Sequence, residues 1–266
     1  MTKLAWDAVG ERFFEAGADR GVLYLDDVGH PWNGLVAVEQ SPSGGEPETY
    51  YQDGLPYISV SASEEFKGSI EAYTYPNAFA VCDGSSEIAQ GMYLSQQDRK
   101  PFGLSYRTLI GNDIQELEFG YKIHIIYNCM ASPSSRSYSS LGESDNAETF
   151  NWSITTRPVK FEDATFGIKY GAHVVLDSRE VYPWAMAAVE EVLYGTDETE
   201  ARLPTPQELL DLFVDNALLK ITDNGDGTWT AEAPDSIISM LSDEIFQINW
   251  ESAVMLDEDT YTISSF

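Results

Sequence analysis

The residues of this 266-residue chain whose types could do chemistry are three histidines, two cysteines and 44 carboxylates. His30 precedes a proline in a turn-like stretch, His124 lies inside the apolar run Tyr121 to Tyr127, and His173 opens another apolar run. None has a Cys, a second His or a carboxylate at metal-ligand spacing, so each reads as a structural histidine. No Gly-x-Ser-x-Gly, no phosphate-cradling glycine loop with Lys and no His-Glu-x-x-His occurs, which leaves nucleophile, nucleotide and zinc chemistry without a motif. Asp223 to Gly227 invites a calcium reading, but glycine stands third where an oxygen ligand is needed and the twelfth position lacks glutamate. A hairpin turn is the better reading. Acid pairs such as Asp26-Asp27, Glu64-Glu65 and Glu190-Glu191 are so common here that none marks a glycosidase dyad. The expectation is a protein that is not an enzyme, with no catalytic residues, no metal ligands and no cofactor.

Charge narrows the choice further. Against the 44 acids stand 15 Lys and Arg, a formal net charge of −29 and a pI near 4.1. Gripping DNA or RNA phosphates needs a basic face, which this composition excludes. With 43% hydrophobic and 12% aromatic residues the chain can still fold, so the excess belongs on a surface. It is uneven: Glu190 to Phe266 holds 18 acids and two bases, a net of −16, whereas Ala80 to Ser140 holds six acids and five bases. No apolar run approaches the ~18–20 residues that span a bilayer, so no membrane insertion is expected. The opening MTKLAWDAVGERFFEAG lacks a basic start followed by an apolar stretch. It reads as carrying no export signal, and Cys82 and Cys129 are then expected as reduced thiols of a cytoplasm.

The elements that must position any functional residue are mostly strands. Gly21 to Leu25, Gly34 to Gln40, Phe66 to Tyr73, Phe102 to Ile110, Tyr121 to Tyr127, Phe150 to Thr156 and Ala172 to Asp177 have strand length and β-rich composition. Thr49 to Gln52 and Pro56 to Val60 flank Asp53-Gly54, a hairpin signal, and Asp26 to Pro31 reads as a turn. Two polar stretches read as loops, Ser41 to Glu48 and the long Ala131 to Asn146. Two helices are marked, one from Pro183 to a glycine cap at Gly195, the other by the Thr205-Pro206-Glu208 capping box. Beyond Leu218 a hairpin around Asp223 to Gly227, then Ile245 to Trp250 and Thr260 to Ser264, supply further strands. The fold expected is mainly β, a sandwich or half-barrel with one or two helices on its sheets. Its domains are residues 1–216 and a β-rich C-terminal element, 217–266.

A many-stranded, acidic, non-catalytic chain with long loops can dock on copies of itself through loops and sheet edges. A monomeric β-sandwich shares these features. With 12 Phe, 15 Tyr and 6 Trp, a surface or carbohydrate-binding module is the alternative, its aromatics stacking on sugar rings.

Tyr50 to Gly84 (YYQDGLPYISVSASEEFKGSIEAYTYPNAFAVCDG), Pro101 to Asp113 (PFGLSYRTLIGND), Gly120 to Tyr138 (GYKIHIIYNCMASPSSRSY), Phe150 to Pro158 (FNWSITTRP) and Tyr194 to Phe213 (YGTDETEARLPTPQELLDLF) occur in this order. In these strings the chain resembles the major tail tube proteins of long-tailed, non-contractile bacteriophages (siphophages) of actinobacteria. The resemblance implies the tail tube fold and a structural virion protein. Six copies would form a ring, and stacked rings would make the conduit through which the genome reaches the host. It also implies as partners a tape-measure protein, tail terminator and baseplate or distal tail proteins, with transient, non-specific passage of double-stranded DNA. The place implied is the virion tail, assembled in the host cytoplasm. A duplex bears one negative charge per ~1.7 Å of axis, so acids lining such a tube would repel it. Candidate residues for the lumen and for contacts between rings are Ser41, Gly44, Gly45, Glu46, Glu48 and Asp53, within the Gly34 to Ile58 hairpin. Candidates for contacts between subunits are Ser134, Ser135, Arg136 and Tyr138, with Arg136 pairing an acid of a neighbour. Most of the acidic C-terminal element is expected outside the tube.

Overall fold

A computed structural model describes residues 6–61, 64–136, 138, 148–163 and 167–215, and beyond them four short strands. The N-terminal part runs β1 (Phe14–Leu25), β2 (Val28–Pro31), β3 (Leu35–Gln40), β4 (Ser43–Gly44), β5 (Pro47–Gln52), β6 (Leu55–Ser61), β7 (Glu64–Glu65) and β8 (Lys67–Ala72). After a 3-10 turn at Asn77–Val81 come β9 (Ser85–Ala89), β10 (Met92–Ser95), β11 (Phe102–Asn112), β12 (Glu116–Ala131) and β13 (Phe150–Thr156). Then follow β14 (Val159–Asp163), β15 (Gly167–Gly171), β16 (His173–Asp177), α1 (Pro183–Tyr194) and α2 (Pro206–Asp215). The last strands, β17 (Lys220–Asp223), β18 (Trp229–Glu232), β19 (Ala253–Asp257) and β20 (Thr260–Ile263), form a four-stranded sheet of their own.

Eight strands build the main antiparallel sheet, in the order β2-β1-β11-β12-β13-β8-β3 with β16 also paired to β12. Strand β12 is long enough to serve two partners along one edge. Its Lys122 to Ile126 pairs with β16 and its Cys129 to Ala131 with β13. Asn128 lies between the two ladders with φ +50, so the backbone bends where the edge changes partner. The sheet therefore forks. At its other side it rolls up until β1 and β3 meet. A Cβ on Gly21 would lie 2.7 Å from Leu35 Cδ2, a closeness that only glycine permits.

Period-two alternation gives this sheet two apolar faces. Leu23, Ile70, Leu104, Tyr106, Ile126, Trp152 and Ile154 fill the inside of the roll, joined by Trp32 and Phe79. Val22, Tyr24, Ile123, Ile125 and Tyr127 form the other face, covered by Met186, Val189 and Leu193 of α1 and Leu209 of α2. Consequently Ile123 to Tyr127 is buried without a break, and reads in the sequence as an apolar run rather than an alternation.

The helices end as their sequences dictate. Gly195, at φ +77, caps α1 and donates its N–H to Glu191 O at 2.9 Å. At α2 both capping-box bonds form, Glu208 N–H to Thr205 Oγ1 at 3.2 Å and Thr205 N–H to Glu208 Oε2 at 3.3 Å. Arg202 forks onto the same carboxylate and holds it below the usual range. The connection between the helices is strapped to the sheet. Gly29 donates to Ala201 O at 2.7 Å, and Leu203 lies where a Cβ on Gly103 would be, 2.5 Å from its Cδ2.

Strand positions expected from the sequence recur here, with differences at the ends. The stretch expected as a turn at Asp26 to Pro31 is a turn only at Asp26 and Asp27, both at positive φ, and then β2. Strand β1 starts seven residues before Gly21, carried past two register shifts at Gly17 and Arg20. Within the Ser41 to Glu48 loop, β4 pairs with β7. The expected strand Ile245 to Trp250 and the turn 224–228 lie outside the described residues. Cys82 and Cys129 are free and fully buried in the inner core. Among the described residues no helix is long and apolar enough to cross a membrane.

Truncating Ile125 to Ala removes side-chain atoms from the face under α1. It is expected to cost about 2–5 kcal/mol in equilibrium urea unfolding, against about 1 kcal/mol for Thr205→Ala at the α2 cap.

Candidate assembly surfaces

The antiparallel ribbon β5–β6 pairs with no other strand of the described chain. Its turn, Asp53 at φ +52 and Gly54 at φ +80, is the two-residue type that an Asp-Gly pair favours. Opposed pairs Glu48/Val60 and Tyr50/Ile58 share one face, and Thr49/Ser59 and Tyr51/Pro56 the other, with a bulge at Tyr57. Both faces are open: Tyr51, Leu55 and Tyr57 are 68%, 71% and 74% exposed, and Tyr50, Ile58 and Val60 are exposed as well. An isolated two-stranded ribbon is marginal in water, and so many exposed large apolar side chains mark a contact surface.

The six residues read as candidates for lumen and ring contacts all fall on the arm that carries this ribbon. Ser41 extends the β3–β8 ladder, its N–H on Lys67 O at 2.8 Å. Gly44 pairs with Glu64, and Gly45, at φ +76, turns the chain towards Glu46 and β5. Glu48 accepts a bond from the Tyr50 hydroxyl at 3.1 Å, and Asp53 sits at the tip. Together these acids make the arm and its ribbon negative beside the exposed apolar side chains.

The second set, Ser134, Ser135, Arg136 and Tyr138, follows β12. Here Arg136 is engaged within its own chain: its guanidinium pairs with Asp83 and lies 5.4 Å from the centroids of both Tyr75 and Phe150. Asp83 also accepts from Arg99 at 3.4 Å, so one carboxylate, 11% exposed, holds two arginines. Tyr138 is 73% exposed and its ring lies 6.5 Å from that of Phe150. The sequence shows Arg136 as a lone base in a polar stretch; that Asp83 meets it is a product of the fold.

Two further ribbons escape a reading by strand composition. Hairpin β9–β10 exposes Ile88, Met92, Tyr93 and Leu94 around a turn where Gly91 N–H meets Glu87 at 2.7 Å, and β14–β15 exposes Ile168 and Tyr170. The Gln90-Gly91 turn was their one legible signal. Among the described residues eleven Lys and Arg side chains are ion-paired within the chain. Asp19 to Arg107 is the best formed, two parallel bonds at 2.8 and 2.6 Å. Few cations are thus left to face a partner.

Among the described residues no three metal-ligating side chains come together. The fold also joins His124 to His173, across 49 residues of sequence.

No family model matches the chain, and no curated protein matches it. Among solved structures it is similar to a chain of the sheath-tube complex of an extracellular contractile injection system, PVC, in the extended state. There the identity is 11% over 59% of this chain and 88% of that one, with a TM-score of 0.29. It is also similar to the tube terminating cap of the anti-feeding prophage, at 9% identity over 67% and 97% with a TM-score of 0.30. The PVC sheath/tube terminator shows 12% identity over 65% and 99%, with a TM-score of 0.27.

Because Arg136 bridges Asp83 and two rings, Arg136→Glu sets two acids together and removes both ring contacts. The expected result is a loss of about 1–3 kcal/mol in monomer stability by urea unfolding, before any contact with a second copy is considered.

Proposed function

We propose that this chain is the self-assembling subunit of a tail tube of a long-tailed, non-contractile bacteriophage, built as stacked rings of six copies. The observation that carries this reading is the β5–β6 ribbon, with large apolar side chains exposed on both faces, in a chain of net charge −29. A partner recognised by charge would meet the acidic surface; a ribbon of tyrosine and aliphatic side chains requires an apolar mate. A second copy supplies one in the same ribbons. The ordered sequence strings shared with tail tube proteins support the same reading.

In this scheme the arm Ser41 to Asp53 lies at the lumen and between rings, and Ser134 to Tyr138 lies between neighbours in a ring. The subunit is a virion structural protein, not an enzyme, and assembles in the host cytoplasm around a tape-measure protein between terminator and distal tail proteins. Double-stranded DNA passes through without being held, because acids such as Glu46, Glu48 and Asp53 repel phosphate. The acidic strands beyond Leu218 lie mostly outside.

Negative-stain electron microscopy of the purified chain is expected to show rings or tubes with a central channel. Tyr51→Asp with Tyr57→Asp, or deletion of Gly44 to Pro47, is expected to leave a folded monomer by circular dichroism and no tubes. Normal tubes from both variants, or a monomer that binds glycans, would overturn the reading in favour of a surface β-sandwich module.

A further inference from the structure

Four rings from four parts of the sheet line up in a column of contacts at the fork. Tyr106 of β11 lies parallel to its cross-strand partner His124 at 4.6 Å between centroids, His124 meets His173 of β16 edge to edge at 5.3 Å, and Phe66, just before β8, closes the column 4.7 Å from His173 with its ring tilted by 45°. The ladder joins β16 to β12 alone; between β16 and the β8–β13 limb of the fork no strand pairing exists among the described residues. At that seam the tilted ring contact of His173 with Phe66 takes the place of a ladder.

Hydrogen bonding assigns the protons. Nε2 of His124 is 3.1 Å from Thr108 Oγ1, and its Nδ1 is 3.1 Å from His173 Nε2 and 3.3 Å from the Gln40 amide nitrogen, which also donates to the Tyr106 hydroxyl at 2.5 Å. Gln40 donates, so Nδ1 accepts. His173 Nε2 then carries the proton between the rings, and His124 donates from Nε2 to Thr108. Both rings are neutral in this arrangement. One further proton is taken up on His173 Nδ1 with the shared bond kept, and a second, on His124 Nδ1, sets two N–H groups and two like charges face to face.

The surroundings offer little relief. Burial first, then His173, pushes His124 down to about 4, and burial pushes His173 down to about 4. The charged groups on the neighbouring elements are themselves paired: Lys122 of β12 with Glu15 of β1, Lys67 of β8 with Glu65 of β7, and Asp177 of β16 with Arg179. Glu39 of β3 accepts from Ser69 at 3.4 Å, and Tyr106 is a buried neutral phenol.

We propose that His124 and His173 form an acid-sensitive latch at the fork, closed while both rings are neutral and opened by protonation of both, which frees β16 from the β8–β13 limb before the sheet itself unfolds. This holds for the single chain and does not depend on the function proposed above. The sign follows from linkage. An unfolded chain takes up protons on histidine near 6.5, the closed fork only near 4, so closure is complete above 6.5 and is lost progressively as pH falls through that window.

Histidine NMR titration of the full chain, with hydrogen exchange of His173 to Asp177 corrected for intrinsic rates, tests this between pH 7 and 4.5. The opening constant of β16 should rise by up to about tenfold per pH unit for each proton bound, while β11 changes less. His173→Phe, which keeps an aromatic ring against Phe66, should remove that rise; His124→Gln is the second variant should the first fail to fold. Two histidines titrating independently near 6.5, or β16 exchange with the same pH dependence in wild type and either variant, would overturn the latch.

Discussion

Everything in the main sheet depends on β12 being buried on both faces. Ile123, Ile125 and Tyr127 meet the helices while Ile126 and Cys129 meet the inner core, so one strand anchors two apolar layers. Burying a side chain of this size is worth about 1.5–3 kcal/mol, and no other strand contributes as many to both sides. Its length creates the fork, since sixteen residues outrun any one partner on that edge and are divided between β16 and β13. From the fork follow the sheet's roll, the placement of α1 by the chain leaving β16, and the ring column that spans the gap. A change that shortened or bent β12 elsewhere would move all of these together.

Much of this architecture was legible because local signals and tertiary needs agree. Strand β13 falls on Phe150 to Thr156 as read, and β8 buries Gly68, Ile70 and Ala72 on one face as its alternation requires. The α2 box forms because Thr205 and Glu208 satisfy each other's backbone donors with nothing else needed. Hairpin β17–β18 pairs as its flanking residues dictate. What was not legible had its cause far away in sequence. β9, β10 and β15 carry weak patterns because neither face is buried within the chain, whereas β14 turns Val159 and Phe161 onto the core under the helices. The histidine pair was invisible because its two members are 49 residues apart and meet only once β16 lies beside β12.

The candidate site divides along the same line. Spacing marked the Asp53-Gly54 hairpin and the polar arm before it, because turn chemistry is local. It did not show that the ribbon would be open on both faces, which depends on where the sheet ends. For Arg136 the structure adds an in-chain role to the contact foreseen between subunits: a base in a polar loop finds the nearest buried carboxylate, and Asp83 is that group. Loss of assembly on charge reversal at Arg136 therefore reports on the monomer as well as on the neighbour, whereas substitutions on the ribbon touch little inside the chain.

The charge balance then constrains how copies of this chain can approach one another. With eleven cationic side chains ion-paired internally among the described residues, the acids without partners set the outer field, and two copies repel over most of their surfaces. Attraction has to come from apolar area. Ribbons β5–β6 and β9–β10 expose it, beside Glu48 and Asp53 on one and Glu87 on the other. Since the two ribbons differ, a contact between them is heterologous, and heterologous contacts close into rings or run on as filaments rather than stopping at a pair. Raising the salt concentration weakens the repulsion between two such acidic chains without touching apolar attraction.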